Sequence, residues 1–393
     1  ALISENREAL VKRVIRHPLI ALLAFVVIAS PCLSAGTNKY LVMSFLQGGR
    51  MVDVRTTPVL PPPYRVASVA RPVPNKSRGV NIISNVPAMQ WCFGCSATSA
   101  AMMFGYYDNN GFPNMYTGPT NGGAFPSTNS PWPSVSIGGE TRSQCPLSAT
   151  RDGLDGRVGR GHVDDYWVYT NHPGPDPWIS NGWVEHTWGD CTGDYMGTNQ
   201  SVWNNVDGST TFVYWTDGSP TYDYTSGEIS GTRDGCHGMR AFAESRGATV
   251  ATNFNQYIDA RSPGVGFTFA QYKAEIDAGR PALIQVDGHT MLGVGYDDST
   301  STVYVHNTWD WDLHTMTWGG YYEGMQHYGV TVLRLQQSNP VPQISLSINN
   351  GATSTDSLGV TLNLGQTGGG TPTQVRFAND SGGSPGTWTS WES

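Results

Sequence analysis

QWCFGCSATSAAMMF, residues 90–104, joins two cysteines to a stretch that favours a helix. No Gly or Pro follows Cys95 in this segment. Its apolar residues recur with the spacing of a buried helical stripe: Ala97, Ala100, Ala101 and Phe104. The pattern predicts a helix that begins at Cys95. Because the free N–H groups and the positive dipole end of a helix N-terminus favour thiolate over thiol, Cys95 is a candidate nucleophile.

A nucleophilic cysteine needs a base, and the base needs a group that orients it. Two later stretches supply such residues, GHT at 288–290 and HNTW at 306–309. His289 would be the base, at the start of a predicted strand. The amide oxygen of Asn307 would accept a hydrogen bond from His289 Nδ1–H and fix the tautomer, and Trp309 would shield that bond from water. The sequence therefore predicts a Cys–His–Asn site.

Other residues compete for these roles or add to them. Gln90 lies just before the nucleophile, and its amide is a candidate donor, together with the Cys95 backbone N–H, to a developing oxyanion. Asp310 is an alternative to Asn307 as the orienting group. Three further histidines are rival bases: His306, His314 and His327.

The clearest periodicity lies in residues 267–335. TFAQ at 268–271 resembles a capping box, and the helix that it opens is predicted to end at Gly279, which Arg280-Pro281 follows. Strands are predicted over four further segments: 282–286, 289–296, 302–306 and 329–335. One helix followed by a run of antiparallel strands indicates an α+β fold.

The N-terminal residues have the composition of an export signal. A basic region precedes the apolar run LIALLAFVVIAS at 19–30, and small residues follow at 33–35. This pattern predicts a secretory signal peptide over residues 1–35, because the apolar run is too short to favour a spanning helix. Residues 36–85 are rich in Pro, which predicts a linker or a pro-segment.

The remaining chain divides at two shifts in composition. Residues 86–338 are predicted to form the main domain, with a loop-rich lobe at about 108–240 where Gly, Pro, Asp and Trp are frequent. Residues 339–393 carry alternating apolar positions among Thr, Ser and Gly, which predicts a partial immunoglobulin-like β module.

Composition limits the partners and the compartment. The net charge is −8 and only 14% of residues are charged, which excludes nucleic acid as an expected partner. Export implies an oxidising compartment, and five cysteines follow residue 35, namely Cys92, Cys95, Cys145, Cys191 and Cys236. An odd number indicates two disulfides and one free thiol, with the connectivity left open.

Two other classes of protein fit parts of the sequence. WCFGC at 91–95 matches the W-C-x-x-C form of thiol–disulfide oxidoreductases, in which Cys92 and Cys95 would react together. That class needs a βαβ unit before the motif, and residues 58–90 supply prolines instead. A non-catalytic surface or glycan-binding protein is the third class. It would use a group of tryptophans that otherwise packs the lobe: Trp167, Trp178, Trp183, Trp188, Trp203 and Trp215.

An acidic group in the lobe offers carboxylates of the kind that calcium prefers. Its members are Asp152, Asp155, His162, Asp164 and Asp165. Their spacing fits no EF-hand loop, which favours a solvated loop. Cys and His are too scattered along the chain to predict a zinc site.

Taken together, these motifs resemble those of papain-like cysteine peptidases. Gln90, Cys92 and Cys95 resemble that family's glutamine, structural cysteine and nucleophile. GHTMLGVGY at 288–296 resembles its histidine strand, and NTW at 307–309 its asparagine stretch. The CSATSAAM start of the helix is similar to the bacterial branch related to bacteriocin-leader (double-glycine) peptidases.

The resemblance implies a two-lobed fold in which Cys95 is the nucleophile, His289 the base, Asn307 the orienting group and Gln90 an oxyanion donor. It also implies that Cys92 is disulfide-bonded rather than catalytic. We therefore predict a monomeric cysteine peptidase, secreted, periplasmic or at the cell surface, that acts on a peptide or protein substrate and uses no cofactor and no metal.

Overall fold

The computed structural model describes part of the chain: residues 38–57, 79–92, 94–116, 126–130, 132, 135–137, 140–149, 191–198, 203, 209–225, 233–336, 343–351, 354 and 361–367. The chain divides into two compact units, Ala1–Asn38 and Lys39–Ser393. The elements below all belong to the second unit. In the described ranges, no helix combines the length and the apolar character that a membrane crossing needs. The predicted signal peptide lies outside them.

The second unit contains sixteen described strands and four described α-helices. The strands are β1 (Leu41–Gln47), β2 (Arg50–Thr57), β3 (Val80–Ile82), β4 (Val135–Ile137), β5 (Glu140–Arg142), β6 (Thr210–Trp215), β7 (Thr221–Tyr222), β8 (Thr249–Tyr257), β9 (Ala282–Val286), β10 (His289–Asp297), β11 (Thr302–His306), β12 (His314–Thr317), β13 (Tyr321–Tyr322), β14 (Met325–Gln336), β15 (Gln343–Ile348) and β16 (Leu362–Thr367). The helices are α1 (Cys95–Asn109), α2 (Thr192–Tyr195), α3 (Gly235–Ser245) and α4 (Phe269–Asp277).

A nine-stranded antiparallel sheet forms the centre. Its main path runs β12-β11-β10-β9-β14-β8-β7, with β3 beside β10 and β13 beside β14. Successive side chains of a strand point to opposite faces. Accordingly Leu283 and Leu292 join the apolar cluster that contains α1, whereas Ile284 and Met291 join a second cluster with α4. The sheet is therefore covered by helices on both faces, which agrees with the predicted α+β class.

Helix α1 is almost completely buried, with only Tyr106 and Asn109 outside the buried class. It begins at Cys95, as the apolar spacing predicts. The sequence predicts one buried stripe, but the helix is covered on further sides as well. One reason is α2, whose Thr192 hydroxyl donates to the Ala97 carbonyl oxygen at 2.9 Å.

The elements predicted between residues 267 and 335 are confirmed. Helix α4 opens with the capping box of Thr268 and Gln271, and the strands predicted there correspond to β9, β10, β11 and β14. Local signals suffice in this region because cap, helix stop and strand alternation all agree.

The described part of residues 108–240 contains β4 to β7, α2 and the start of α3, and the loop-rich lobe stays a prediction. The buried side chains of α3 include Met239, Phe242 and Ala243, at helical spacing, and Asp234 caps the helix by accepting from the His237 backbone N–H. Helix α3 continues to Ser245 and therefore crosses the predicted boundary at residue 240.

Residues 41–57 belong to the segment predicted as a linker or a pro-segment, and that assignment stays a prediction. They form β1 and β2, and β2 pairs with β6 in a three-stranded antiparallel sheet. No proline interrupts residues 41–57, and Val52 and Val54 are buried. The proline-rich residues 58–78 lie outside the described part. At the other end, β15 and β16 form a two-stranded sheet, and the immunoglobulin-like module stays a prediction.

Arg55 connects β2 to the main sheet. Its side chain is fully buried, its Nη2 donates to Asp287 Oδ1 at 2.6 Å, and its guanidinium lies 3.9 Å from the Tyr328 ring centroid. Asp287 occupies the turn between β9 and β10, two residues before His289. A buried guanidinium is stable only when it is paired, so this contact holds the turn against β2.

Replacing Arg55 tests this contact. Arg55→Met removes the cation that pairs with Asp287 and should lower the free energy of unfolding by about 3 kcal/mol. Urea unfolding followed by tryptophan fluorescence measures the loss.

Arg50→Met on the same strand is the matched control. Arg50 pairs with Asp217 where the two side chains are 41% and 53% exposed, so we expect a loss of about 1 kcal/mol or less. Equal losses for the two variants would show that burial of the Arg55 pair has no special weight.

Candidate active site

Cys95 is the first residue of α1 and is buried. Gly94 precedes it with φ of 135°, a backbone conformation that residues with a side chain rarely adopt. Thr98 fixes this turn, since its hydroxyl donates to the Gly94 carbonyl at 2.8 Å and accepts from the Cys92 backbone N–H at 2.9 Å. The hydroxyl of Ser96, the next residue of the helix, lies 2.8 Å from the hydroxyl of Thr290, the second residue of β10. The helix start therefore meets the strand that carries His289.

Burial acts against the thiolate in this structure. It raises the pKa of the Cys95 thiol to about 11, although backbone hydrogen bonds from Thr290, Ser96 and Cys95 itself pull the pKa back. The sequence led us to expect that the helix N-terminus would favour a thiolate. Instead the loss of solvation outweighs the local donors and favours the neutral thiol.

His289 is buried and its ring is held on two sides. Nε2 lies 2.7 Å from the Asn307 backbone carbonyl oxygen, and the ring stacks on Trp309 with centroids 5.0 Å apart. A carbonyl oxygen only accepts, so Nε2 carries the proton and Nδ1 presents its lone pair. Nδ1 has no hydrogen-bond partner among the described residues. Burial also lowers the pKa of His289 to about 4, so the imidazole is neutral.

Gly288 allows the chain to enter β10 at this point. Its φ is 84°, and a Cβ at this position would collide with the ring of Tyr40. The close approach explains why the residue before His289 has no side chain.

Asn307 contacts His289 through its backbone, not through its amide. The amide oxygen accepts from the Trp309 and Asp310 backbone N–H groups, at 2.9 and 3.4 Å, and the amide nitrogen donates to Tyr322 at 2.9 Å. The predicted bond from His289 Nδ1–H to the Asn307 amide oxygen is therefore wrong in both atoms. The side chain of Asn307 instead shapes the loop that presents its own carbonyl.

The rival residues have partners elsewhere. Asp310 Oδ1 pairs with His314 Nε2 at 2.7 Å, away from His289. His306 Nδ1 lies 3.4 Å from the Asp312 carbonyl, and both ring nitrogens of His327 are hydrogen-bonded to backbone groups. Of these histidines, His289 is the one that directly precedes Thr290, which the Cys95 helix contacts through Ser96 and Ser99.

Gln90 contacts Trp309, the residue whose ring stacks on His289. Its Nε2 donates to the Trp309 carbonyl oxygen at 3.4 Å, and its Oε1 accepts from the Ser143 hydroxyl at 2.9 Å. The neighbouring Trp91 backbone N–H donates to the Thr308 carbonyl. The segment before Cys95 is therefore bound to the loop after Asn307, and the four predicted site residues belong to one connected region. The role of Gln90 as an oxyanion donor stays a prediction.

The described cysteines form no disulfide. All five are buried: Cys92, Cys95, Cys145, Cys191 and Cys236. The expected two disulfides are not present, and the pairing of Cys92 implied by the resemblance is not supported. Cys92 Sγ instead lies 3.9 Å from the Cys145 carbonyl oxygen. Within the described ranges, no three metal-ligating side chains gather. The acidic group predicted as a calcium candidate lies outside those ranges.

Sequence reasoning missed Ser96 and Thr290. The Ser96 hydroxyl lies 2.8 Å from the Thr290 hydroxyl, and the Ser99 hydroxyl donates to the Thr290 carbonyl at 3.2 Å. A signal was available, because three hydroxyl residues on one buried helix and a polar residue inside an apolar strand need partners.

Comparison with known proteins gives one match. Residues 179–330 match the model of the Peptidase_C39 like family. The matched segment is less than half of the chain, and it contains His289 and Asn307 but not Cys95. No curated protein and no solved structure matches. The family match supports a cysteine peptidase of the papain-like type, and the bacteriocin-leader branch stays a prediction.

Proposed function

We propose that the protein is an exported cysteine peptidase that hydrolyses peptide bonds with Cys95 as nucleophile, His289 as base and Asn307 as orienting residue. One observation carries the proposal. Ser96, directly after the buried Cys95, lies 2.8 Å from the hydroxyl of Thr290, and Thr290 directly follows a histidine whose Nε2 is held by a carbonyl and whose Nδ1 has no partner among the described residues. The family match supports the class of enzyme, and the choice of nucleophile rests on this geometry.

In the proposed reaction Cys95 Sγ attacks the carbonyl carbon of the scissile peptide. The thiol proton passes to His289 Nδ1, which later protonates the leaving amine. Water then hydrolyses the thioester. Nδ1 has no hydrogen-bond partner among the described residues, so its lone pair can accept the thiol proton.

Asn307 stabilises the imidazolium that forms. Its carbonyl oxygen already accepts from Nε2–H, so positive charge on the ring strengthens an existing hydrogen bond. Trp309 covers the ring and keeps water from competing for that bond. The proposed substrate is a peptide or protein, and the proposed site of action is outside the cytoplasm.

Covalent labelling tests the nucleophile. An epoxide probe of the type that traps cysteine peptidases should modify Cys95, as mapped by mass spectrometry. Cys95→Ala should lose both this label and peptide hydrolysis while keeping its fold. In His289→Ala the rate of labelling should fall by about 100-fold or more, because the base is gone.

His237→Gln is the matched control for the histidine. His237 lies on α3 and pairs with Asp223 at 2.8 Å, away from β10, so labelling should not change. A probe that modifies Cys92 faster than Cys95, or equal labelling of His289→Ala and the unaltered protein, would contradict the proposal.

The orienting residue is tested by comparing Asn307 with Asp310. Asn307→Ala removes the side chain that accepts from two backbone N–H groups of the loop, so kcat should fall by about tenfold or more. Asp310→Asn loses only the charge of the pair with His314, and its kcat should stay within about threefold. A larger effect at Asp310 would make the carboxylate the orienting group.

The pH dependence of labelling follows from burial. With the pKa of Cys95 at about 11 and that of His289 at about 4, the substrate-free pair is thiol and neutral imidazole between these values. Below the thiol pKa the thiolate fraction rises about tenfold for each pH unit. The rate of alkylation by uncharged iodoacetamide should therefore climb steadily from about pH 6 to 9. A plateau near neutral pH would instead show a preformed thiolate–imidazolium pair.

A further inference from the structure

Trp311 presents an indole ring to solvent on the loop that follows Asn307. Of the tryptophans that the structure describes, it alone is exposed, at 44%. Its Nε1–H donates to Asn129 Oδ1 at 2.8 Å, and within the described ranges its ring has no aromatic or cationic neighbour. The polar end of the side chain is therefore fixed, whereas the face of the ring is open to a ligand.

Asn129 ties this ring to the segment that leads to Cys95. The Asn129 side chain is buried, and its Oδ1 accepts from the Gln90 backbone N–H at 3.1 Å as well as from Trp311. Its Nδ2 donates to the Gln90 carbonyl oxygen at 3.1 Å. Because a backbone N–H and an indole N–H only donate, these contacts also fix which way the amide points.

A second set of contacts ties the same loop to His289. Trp309, two residues before Trp311, stacks on the His289 ring with centroids 5.0 Å apart, and its carbonyl oxygen accepts from Gln90 Nε2 at 3.4 Å. Trp311 is thus connected to the proposed base through Trp309 and to Gln90 through Asn129. An extended peptide rises about 3.4 Å per residue, so a side chain within three residues of the scissile bond can reach the indole.

The two segments that build this region carry no basic residue. Residues 79–141 and 281–333 contain no Lys or Arg. Residues 281–333 contain acidic side chains instead, namely Asp287, Asp297, Asp298, Asp310, Asp312 and Glu323. Asp312 directly follows Trp311, is exposed and has no ion-pair partner among the described residues. Since consecutive Cα atoms are about 3.8 Å apart, its charge acts on a group above the indole from within one Debye length.

Other tryptophans of this protein show which group fits such a ring. The guanidinium of Arg50 lies 4.0 Å from the Trp215 ring centroid, and that of Arg233 lies 4.5 Å from the Trp203 ring centroid. The face of an indole attracts a cation through its quadrupole. At Trp311 the described part of the chain supplies no such cation, and the next residue is an acid. Charge therefore selects a cation from outside as the occupant.

We infer that Trp311 and Asp312 bind a basic side chain of the peptide substrate, within three residues of the scissile bond. Arginine fits best, because its planar guanidinium stacks on an aromatic face. Asn129 acts through Trp311 as a positioning residue. The role in cleavage rests on the proposed function, whereas binding of a basic peptide can be measured without it.

Paired peptides test the inference. Each pair differs at one position, with arginine or with citrulline, which has nearly the shape of arginine without its charge. Pairs cover three positions on either side of the scissile bond. We expect kcat/KM to favour arginine by about fivefold at one of these positions. Trp311→Ala should bring that ratio close to one.

Tyr222→Ala is the matched control for the loss of an exposed ring. Tyr222 is 61% exposed on β7, at the edge of the main sheet opposite β12. The arginine-to-citrulline ratio should not change in this variant. An equal loss in Tyr222→Ala and Trp311→Ala would overturn the assignment to Trp311.

Two further variants separate charge from position. Asp312→Asn removes only the charge and should lower the ratio about twofold, and added salt should then affect the ratio less than in the unaltered protein. Asn129→Ala releases the indole and should also lower the ratio. The altered support of Gln90 in Asn129→Ala acts on both peptides of a pair alike, so a purely structural role would leave the ratio unchanged.

Binding without cleavage separates this inference from the proposed function. Fluorescence anisotropy gives the Kd of the labelled arginine peptide for Cys95→Ala, and we expect a Kd about fivefold higher when Trp311→Ala is added. Trp311-dependent binding without any hydrolysis by the unaltered protein would reject the proposed function and leave this inference standing. Hydrolysis with no preference for arginine at any position, or a preference that survives Trp311→Ala, would reject this inference alone. A Trp311-dependent preference for leucine over arginine would also overturn it.

Discussion

The contact between the start of α1 and the start of β10 determines the geometry of the site. Ser96, directly after Cys95, bonds the side chain of Thr290, and Ser99 bonds its carbonyl. All of these groups are buried, and each bond left unmade would cost about 1–3 kcal/mol. The helix can therefore meet the strand in only one register. That register brings the cysteine to the histidine strand, and the rest of the site is arranged around it.

The burial that defines this register also disfavours the charged forms of Cys95 and His289. Cys95 and His289 are both shielded from water, which raises the pKa of the thiol and lowers that of the imidazole. A neutral pair is compatible with a buried site, whereas an ion pair needs compensating donors and acceptors. The carbonyl of Asn307 is such a group, because it already lies 2.7 Å from Nε2 of His289. In the proposed reaction it would stabilise the imidazolium that forms.

Support for the site comes from a segment distant in sequence. Strand β2 carries Arg55, which pairs with Asp287 before His289, and Thr57, which lies against Thr290. One strand thus contacts the residues on both sides of His289. It belongs to the segment predicted as a linker or a pro-segment, and its removal would leave Asp287 and Thr290 without these partners.

Much of this protein was determined by local sequence alone. The start of α1 at Cys95, the capping box at Thr268 and the strands from Ala282 onward follow from spacing, caps and alternation, which act between near neighbours. The order of cysteine, histidine and asparagine indicated a peptidase before any coordinates. Tertiary structure alone decided that Asn307 holds His289 by its backbone and that burial, not the helix dipole, sets the state of Cys95. It also decided that the described cysteines stay reduced and that β2 braces the site. These features depend on desolvation and on partners that lie tens to hundreds of residues apart, and no local pattern encodes such distances.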